Sequence, residues 1–217
     1  NLGLLYYSLQ DYPNSEKYLK MALENREILF IQNPDAYRAD LSTTYWGMMM
    51  LSGEIEDLGQ YDQYLGSTLK LVKELYSFQP AVFSSSLIEL QNRMVWRLLV
   101  TGNVDEAYNL AQETYGMDES NEMSKNNLAE CYNMKAFEYA KASEFDNAHA
   151  SIDKAISLVP KNANYYDSKG EILMMQGKNA EAYEMWKKVV ELNPNFLDGY
   201  PEGTELSNGL KKLGLIK

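Results

Sequence analysis

At 217 residues, with 45% hydrophobic and 24% charged side chains, the chain has ordinary globular composition and room for one or two domains with a sizeable core. Its 31 acidic against 20 basic residues, a formal charge of -11, argue against a phosphate backbone as partner, because that contact is made with Lys and Arg. One Cys and one His exclude an intrachain disulfide framework and any metal site needing two imidazoles.

In chain order, the apolar periodicity predicts helices throughout, and no period-2 run of β-branched residues is bounded by turns. A short helix over residues 1–10 carries Leu2, Leu4, Leu5, Tyr6 and Leu9, and it pairs with one over 14–32. A second pair covers 36–51 and 60–78, a third 84–101 and 104–115, a fourth 123–142 and 145–158, and a fifth 164–176 and 179–192. In the last of these, Ala182, Tyr183, Trp186, Val189 and Val190 form one stripe, with Glu181, Glu184, Lys187, Lys188 and Glu191 off it. Gly177 suits the reversal before it, and Pro194 stops it. A final amphipathic helix over 204–213 sets Leu206, Leu210 and Leu213 on one side, with Gly214 after it. The longest apolar stretch, residues 45–51, is far short of the roughly 20 needed to cross a bilayer.

The chain repeats itself. Shifted by 34, residues 128–161 fall on 162–195 with identities at Ala129/Ala163, Tyr132/Tyr166, Lys135/Lys169, Ala148/Ala182, Lys154/Lys188, Leu158/Leu192 and Pro160/Pro194. Shifted by 46, residues 18–41 fall on 64–87, matching Tyr18/Tyr64, Leu19/Leu65, Leu23/Leu69, Leu29/Leu75, Pro34/Pro80 and Leu41/Leu87.

Residues 129–194 resemble two tandem tetratricopeptide repeats. The small residue of the first helix is Ala136 and Gly170, and the large one three on is Tyr139 and Leu173. The small residue opening the second helix is Ala148 and Ala182, followed by Ile152 and Trp186, and Pro160 and Pro194 close the units. Lys135 and Lys169 depart from the pattern, standing where an apolar residue is usual; their stems are expected to lie along the interface. Residues 87–122 fit more loosely, with Val95 in place of the small residue, and residues 1–86 look like longer, irregular copies containing Gly3 and Gly47. The resemblance implies an all-α fold: a right-handed superhelical solenoid of about five antiparallel hairpins plus the C-terminal capping helix, as one domain over 1–217. Gly3 falls mid-helix in that pattern, so a fragment of a longer chain is expected. Leu2, Leu5 and Leu9 would then form an open apolar end suited to self-association.

Catalytic templates fail on inventory. Gly59 to Gly66 has glycine spacing but lacks the Lys of a phosphate loop, and no G-x-S-x-G elbow occurs. Cys131 reads as a small half-buried packing residue and His149 as a surface one; a Cys–His pair across adjacent helices stays open on sequence alone. Residues 118–122 read as a polar loop lacking the EF-hand spacing. The Met48, Met49, Met50 run reads as core plus groove filler. The expectation is a non-enzyme with no cofactor and no metal.

The interaction reading rests on geometry. Stacked hairpins present a concave face, which the resemblance assigns to the first helices. Residues three and four apart, off the packing stripe, select Asn164, Asp167 and Glu171 in the fifth unit, Glu130, Asn133 and Phe137 in the fourth, Glu89, Asn92 and Trp96 in the third, and Thr43, Trp46 and Met50 in the second. Asn can donate to and accept from an extended backbone, and the aromatics offer anchor area. Some relatives clamp a terminal carboxylate with Lys, Arg and Asn in the groove; here those places hold mostly Glu, Asp and Asn, with Met134 and Ser168 at the neighbouring positions, so that clamp is not carried over. The expected role is a scaffold for a protein or peptide, basic with an apolar anchor; the alternative is a sensing module of a longer protein.

Overall fold

Five of the turns between helices share one repeated device. Gln10, Glu56, Gly102, Ser143 and Gly177 all adopt left-handed backbone, with φ between 59° and 81°. At four of them the next amide reaches back five residues: Asp11 to Tyr6, Asp57 to Ser52, Glu144 to Tyr139 and Lys178 to Leu173, at 2.8–3.0 Å. This 6→1 bond satisfies carbonyls that a helix end leaves orphaned.

The computed structural model describes residues 2–196 together with 210, 211 and 214. Among them are ten helices and no strand: α1 Leu2–Ser8, α2 Tyr12–Gln32, α3 Pro34–Glu54, α4 Leu58–Phe78, α5 Pro80–Val100, α6 Val104–Met117, α7 Glu122–Lys141, α8 Phe145–Leu158, α9 Ala163–Met175 and α10 Asn179–Leu192. The chain divides into two compact units, Asn1–Thr101 and Gly102–Lys217.

In the first unit each helix packs on its chain neighbours, from α1 through α5. The 46-residue period is structural: α2 and α4 begin and end 46 residues apart, as do α3 and α5. The caps repeat as well, with Asp11 accepting the Asn14 amide and Asp57 the Gln60 amide. Sequence periodicity places the starts of α3 and α5 at residues 36 and 84, too late. Pro34 and Pro80 open those helices, where a fixed φ helps and the missing N–H is not needed.

Leu19 holds this unit's start together. It is 1% exposed and sits so close to two glycines that an added Cβ would lie 2.6 Å from it at Gly3 and 2.8 Å at Gly47. One α2 side chain thus binds α1 and α3 at once. Ser15 Oγ donates to the Gly3 carbonyl at 3.0 Å, and the Tyr7 and Tyr12 hydroxyls both donate to the Glu54 carboxylate at 3.1 Å.

In the second unit α8 and α10 start and end 34 residues apart. Ala136, Ala148, Ala182 and Gly170 are all buried, as the repeat pattern requires. Ala136, Ala140, Ala148, Ile152 and Ala155 form a cluster that Tyr165 and Ile172 of α9 complete. The next cluster is Ala163, Leu173, Ala182, Trp186, Val189 and Leu210. Leu210 is helical and buried; most of the expected capping helix over 204–213, including Leu206 and Leu213, lies outside the described residues. Lys135 and Lys169 are largely covered and reach back to Asp105 of α6 and Asp153 of α8.

An alanine Cβ at Gly170 would lie 2.9 Å from Trp186 Cε2, a rigid ring with no room to move. Mid-helix Gly to Ala normally stabilises; Gly170→Ala is expected to lower stability by about 1–3 kcal/mol, read by thermal denaturation. Glu56→Gly and Ser143→Gly are expected to do the reverse, each relieving a left-handed cost of roughly 1 kcal/mol. A lower melting temperature in either would contradict the turn assignment.

Candidate functional site on the first helices

In the first unit, α3 and α5 bring three of the expected residues into one open cleft. Thr43, Trp46 and Glu89 line about 270 Å³ together with Ser42, Thr68, Val72, Phe83 and Ser86. Arg93, not expected from the groove spacing, organises the rim. Its guanidinium lies 5.7 Å from the Trp46 ring centroid, bonds Glu89 at 3.0 Å and reaches the Tyr61 hydroxyl at 3.4 Å. The Glu89–Arg93 spacing of four is a helical ion-pair signal that sequence reading could have used. Trp96 is 58% exposed and Met50 half-buried beside the buried Met48 and Met49. Asn92 is 2% exposed, so its side chain faces the packed interior and offers little surface to a ligand.

In the second unit, α7 carries Glu130, Asn133 and Phe137, and α9 carries Asn164, Asp167 and Glu171; the two helices touch. Asn133 Nδ2 donates to Glu130 Oε1 at 3.2 Å, while its Oδ1 is buried and meets no donor among the described residues. Phe137 packs on the α7–α8–α9 cluster. Asn164 is exposed. Asp167 Oδ1 accepts the indole N–H of buried Trp186 at 2.8 Å, so this carboxylate also serves the core. Burial, and then the neighbouring Asp167 charge, raise the pKa of Glu171.

Cys131 is fully buried rather than half-buried. Burial first, then Glu130, pushes its thiol up to about 12, which keeps it protonated and unreactive near neutral pH. His149 Nε2 lies 2.8 Å from Gln176 Oε1. The polar loop after α6 is held by Asp118, which accepts from the Ser120 amide and hydroxyl. No helix among the described residues is long and apolar enough to cross a membrane.

No protein-family model matches the chain. Human protein O-mannosyl-transferase TMTC1 is 27% identical over 199 residues, covering 90% of this chain and 19% of that protein. Human DnaJ homolog subfamily C member 7 is 32% identical over 72 residues, covering 33% of this chain and 15% of that protein. The chain therefore spans less than a fifth of the length of these relatives. Among solved structures, YrrB, a TPR protein with an unusual peptide-binding site, matches with a TM-score of 0.52 at 14% identity, covering 97% of this chain and 88% of that chain. The chain has the fold of the tetratricopeptide-repeat proteins.

Two substitutions separate core from surface roles here. Asp167→Ala strands the buried Trp186 N–H and is expected to cost about 1–3 kcal/mol, whereas Asn164→Ala should stay within about 0.5 kcal/mol. A raised carboxylate pKa contributes stability at low pH that is lost as pH rises through the folded-state value. Glu171→Gln is therefore expected to raise the melting temperature at neutral pH and leave it unchanged at about pH 4, near the ordinary carboxylate value.

Proposed function

We propose that the chain is a non-catalytic scaffold that holds peptide or protein segments along the first helices of its units. The observation that carries this reading is the cleft that gathers Thr43, Trp46 and Glu89. Its wall combines an apolar side (Trp46, Val72, Phe83) with hydroxyls (Ser42, Thr43, Thr68, Ser86), the mix of anchor and orienting groups that ligand clefts use. Peptide binding by YrrB, which shares the fold, agrees with this use.

The ligand favoured is basic with an apolar anchor. In the first unit Arg93 offsets Glu89, whereas in the second Glu130 and Glu171 form no ion pair among the described residues. They speed association and select partners more than they set final affinity.

Immobilised peptide arrays test the proposal. Trp46→Ala is expected to weaken capture at the first unit by about 2 kcal/mol, a hot-spot value. Glu130→Gln with Glu171→Gln is expected to reduce capture of Lys- and Arg-containing peptides at low salt, with little difference at high salt, where exposed charges are screened within about 8 Å or less. Both variants capturing the parent's peptides undiminished would refute the proposal.

A further inference from the structure

We propose that a second surface of the first unit docks a second copy of this chain. The surface is the cleft between α2 and α4, which shares no lining residue with the one holding Trp46. Its first mark is uncovered apolar area. The buried residues of α2 are Ser15 and Leu19, both in its first half; the second half ends in four consecutive apolar residues, 28–31. Ile28 is 57% and Ile31 80% exposed. Ile31 forms part of the wall of an open cleft of about 370 Å³, whose apolar lining also includes Phe30, Leu41, Tyr45 and Leu71 and whose polar lining is Glu27, Ser67 and Lys70. A protruding apolar side chain and a hole of the same character thus stand on one surface.

The charges identify the occupant. The 46-residue repeat places Glu24 and Glu27 of α2 at the positions that Lys70 and Lys73 hold in α4. All four are exposed. Glu24, Lys70 and Lys73 form no ion pair among the described residues, and Glu27 accepts the Tyr45 hydroxyl at 2.8 Å. Glu27 lines the cleft from α2 and Lys70 from α4, with Glu24 and Lys73 one turn along the same helices, so the α2 side is acidic and the α4 side basic. A peptide of either sign is drawn to one wall and repelled by the other. A copy turned by a two-fold axis sets each acidic wall against a basic wall, twice, which is the self-complementarity an isologous interface requires. The same rotation brings each Ile31 toward the partner's cleft.

Sedimentation of the full chain over a concentration series tests this. The parent is expected to double in mass with rising concentration, less so at high salt. Lys70→Glu with Lys73→Glu, and separately Glu24→Lys with Glu27→Lys, are expected to weaken self-association about tenfold or more through like-charge contact. Mixing the two variants one to one restores pairing, and so does the fourfold swap in one chain. Circular dichroism checks folding, and Glu24→Lys alone, which leaves the Glu27–Tyr45 bond intact, gives a milder effect of the same sign. A monomer at every concentration overturns the proposal. Association that survives charge reversal, or that is lost with Leu5→Ser instead, overturns it as well, as does failure of the mixed variants to pair. None of these results depends on peptide capture at the Trp46 cleft.

Discussion

Everything in this protein hangs on a large side chain from a second helix lying against a residue with no side chain, or almost none, on a first helix. Trp186 rests on Gly170 and Leu19 on Gly3 and Gly47, while Ala136 and Ala148 are buried together in the neighbouring cluster. Close approach lets the paired helices bury their apolar stripes without voids, and interiors tolerate few of those. The hairpin turns then need only reverse the chain, which the left-handed residue and its 6→1 bond accomplish in two positions.

The consequence is that the first helices are held by the second helices, while Thr43, Trp96 and Asn164 on them stay exposed. The hold is not silent for the charges of these helices. Asp167 is drawn into the packing through the Trp186 indole, and Glu89 into a cluster with Arg93 beside Trp46. A groove charge is therefore set by what the core and rim leave over. That is why a tally of acids on the first helices overstates the negative field of the first unit.

Much of the fold is legible in the sequence because a repeat states its own period. The 34- and 46-residue offsets return as equal spacings of helix ends, and the small residues fall where the resemblance puts them. The errors have physical causes. Pro34 and Pro80 stop one helix and open the next, and periodicity alone reads the first effect. Asn92 is buried although its helical register matches Trp46 and Asn133, because register fixes direction but not the depth of the neighbours. Half-burial was expected of Cys131, whereas it is completely buried, because helical register does not fix how closely the neighbouring helices approach. Arg93 was visible as the partner of Glu89, but its place over Trp46 depends on the separation of α3 and α5, which no local pattern encodes.

In a stack of helices, each element is stabilised chiefly by its immediate neighbours, and loss of structure spreads as along a line of dominoes. One of these dominoes is unusual. Helix α1 is anchored by a side chain shared with α3. When α1 detaches, Leu19 loses the Gly3 wall, Ser15 loses its acceptor and Glu54 loses the Tyr7 phenol in the same event. Opening of α1 is thus coupled to the looseness of α2 and α3, and amide protection should rise in a single step across them instead of residue by residue.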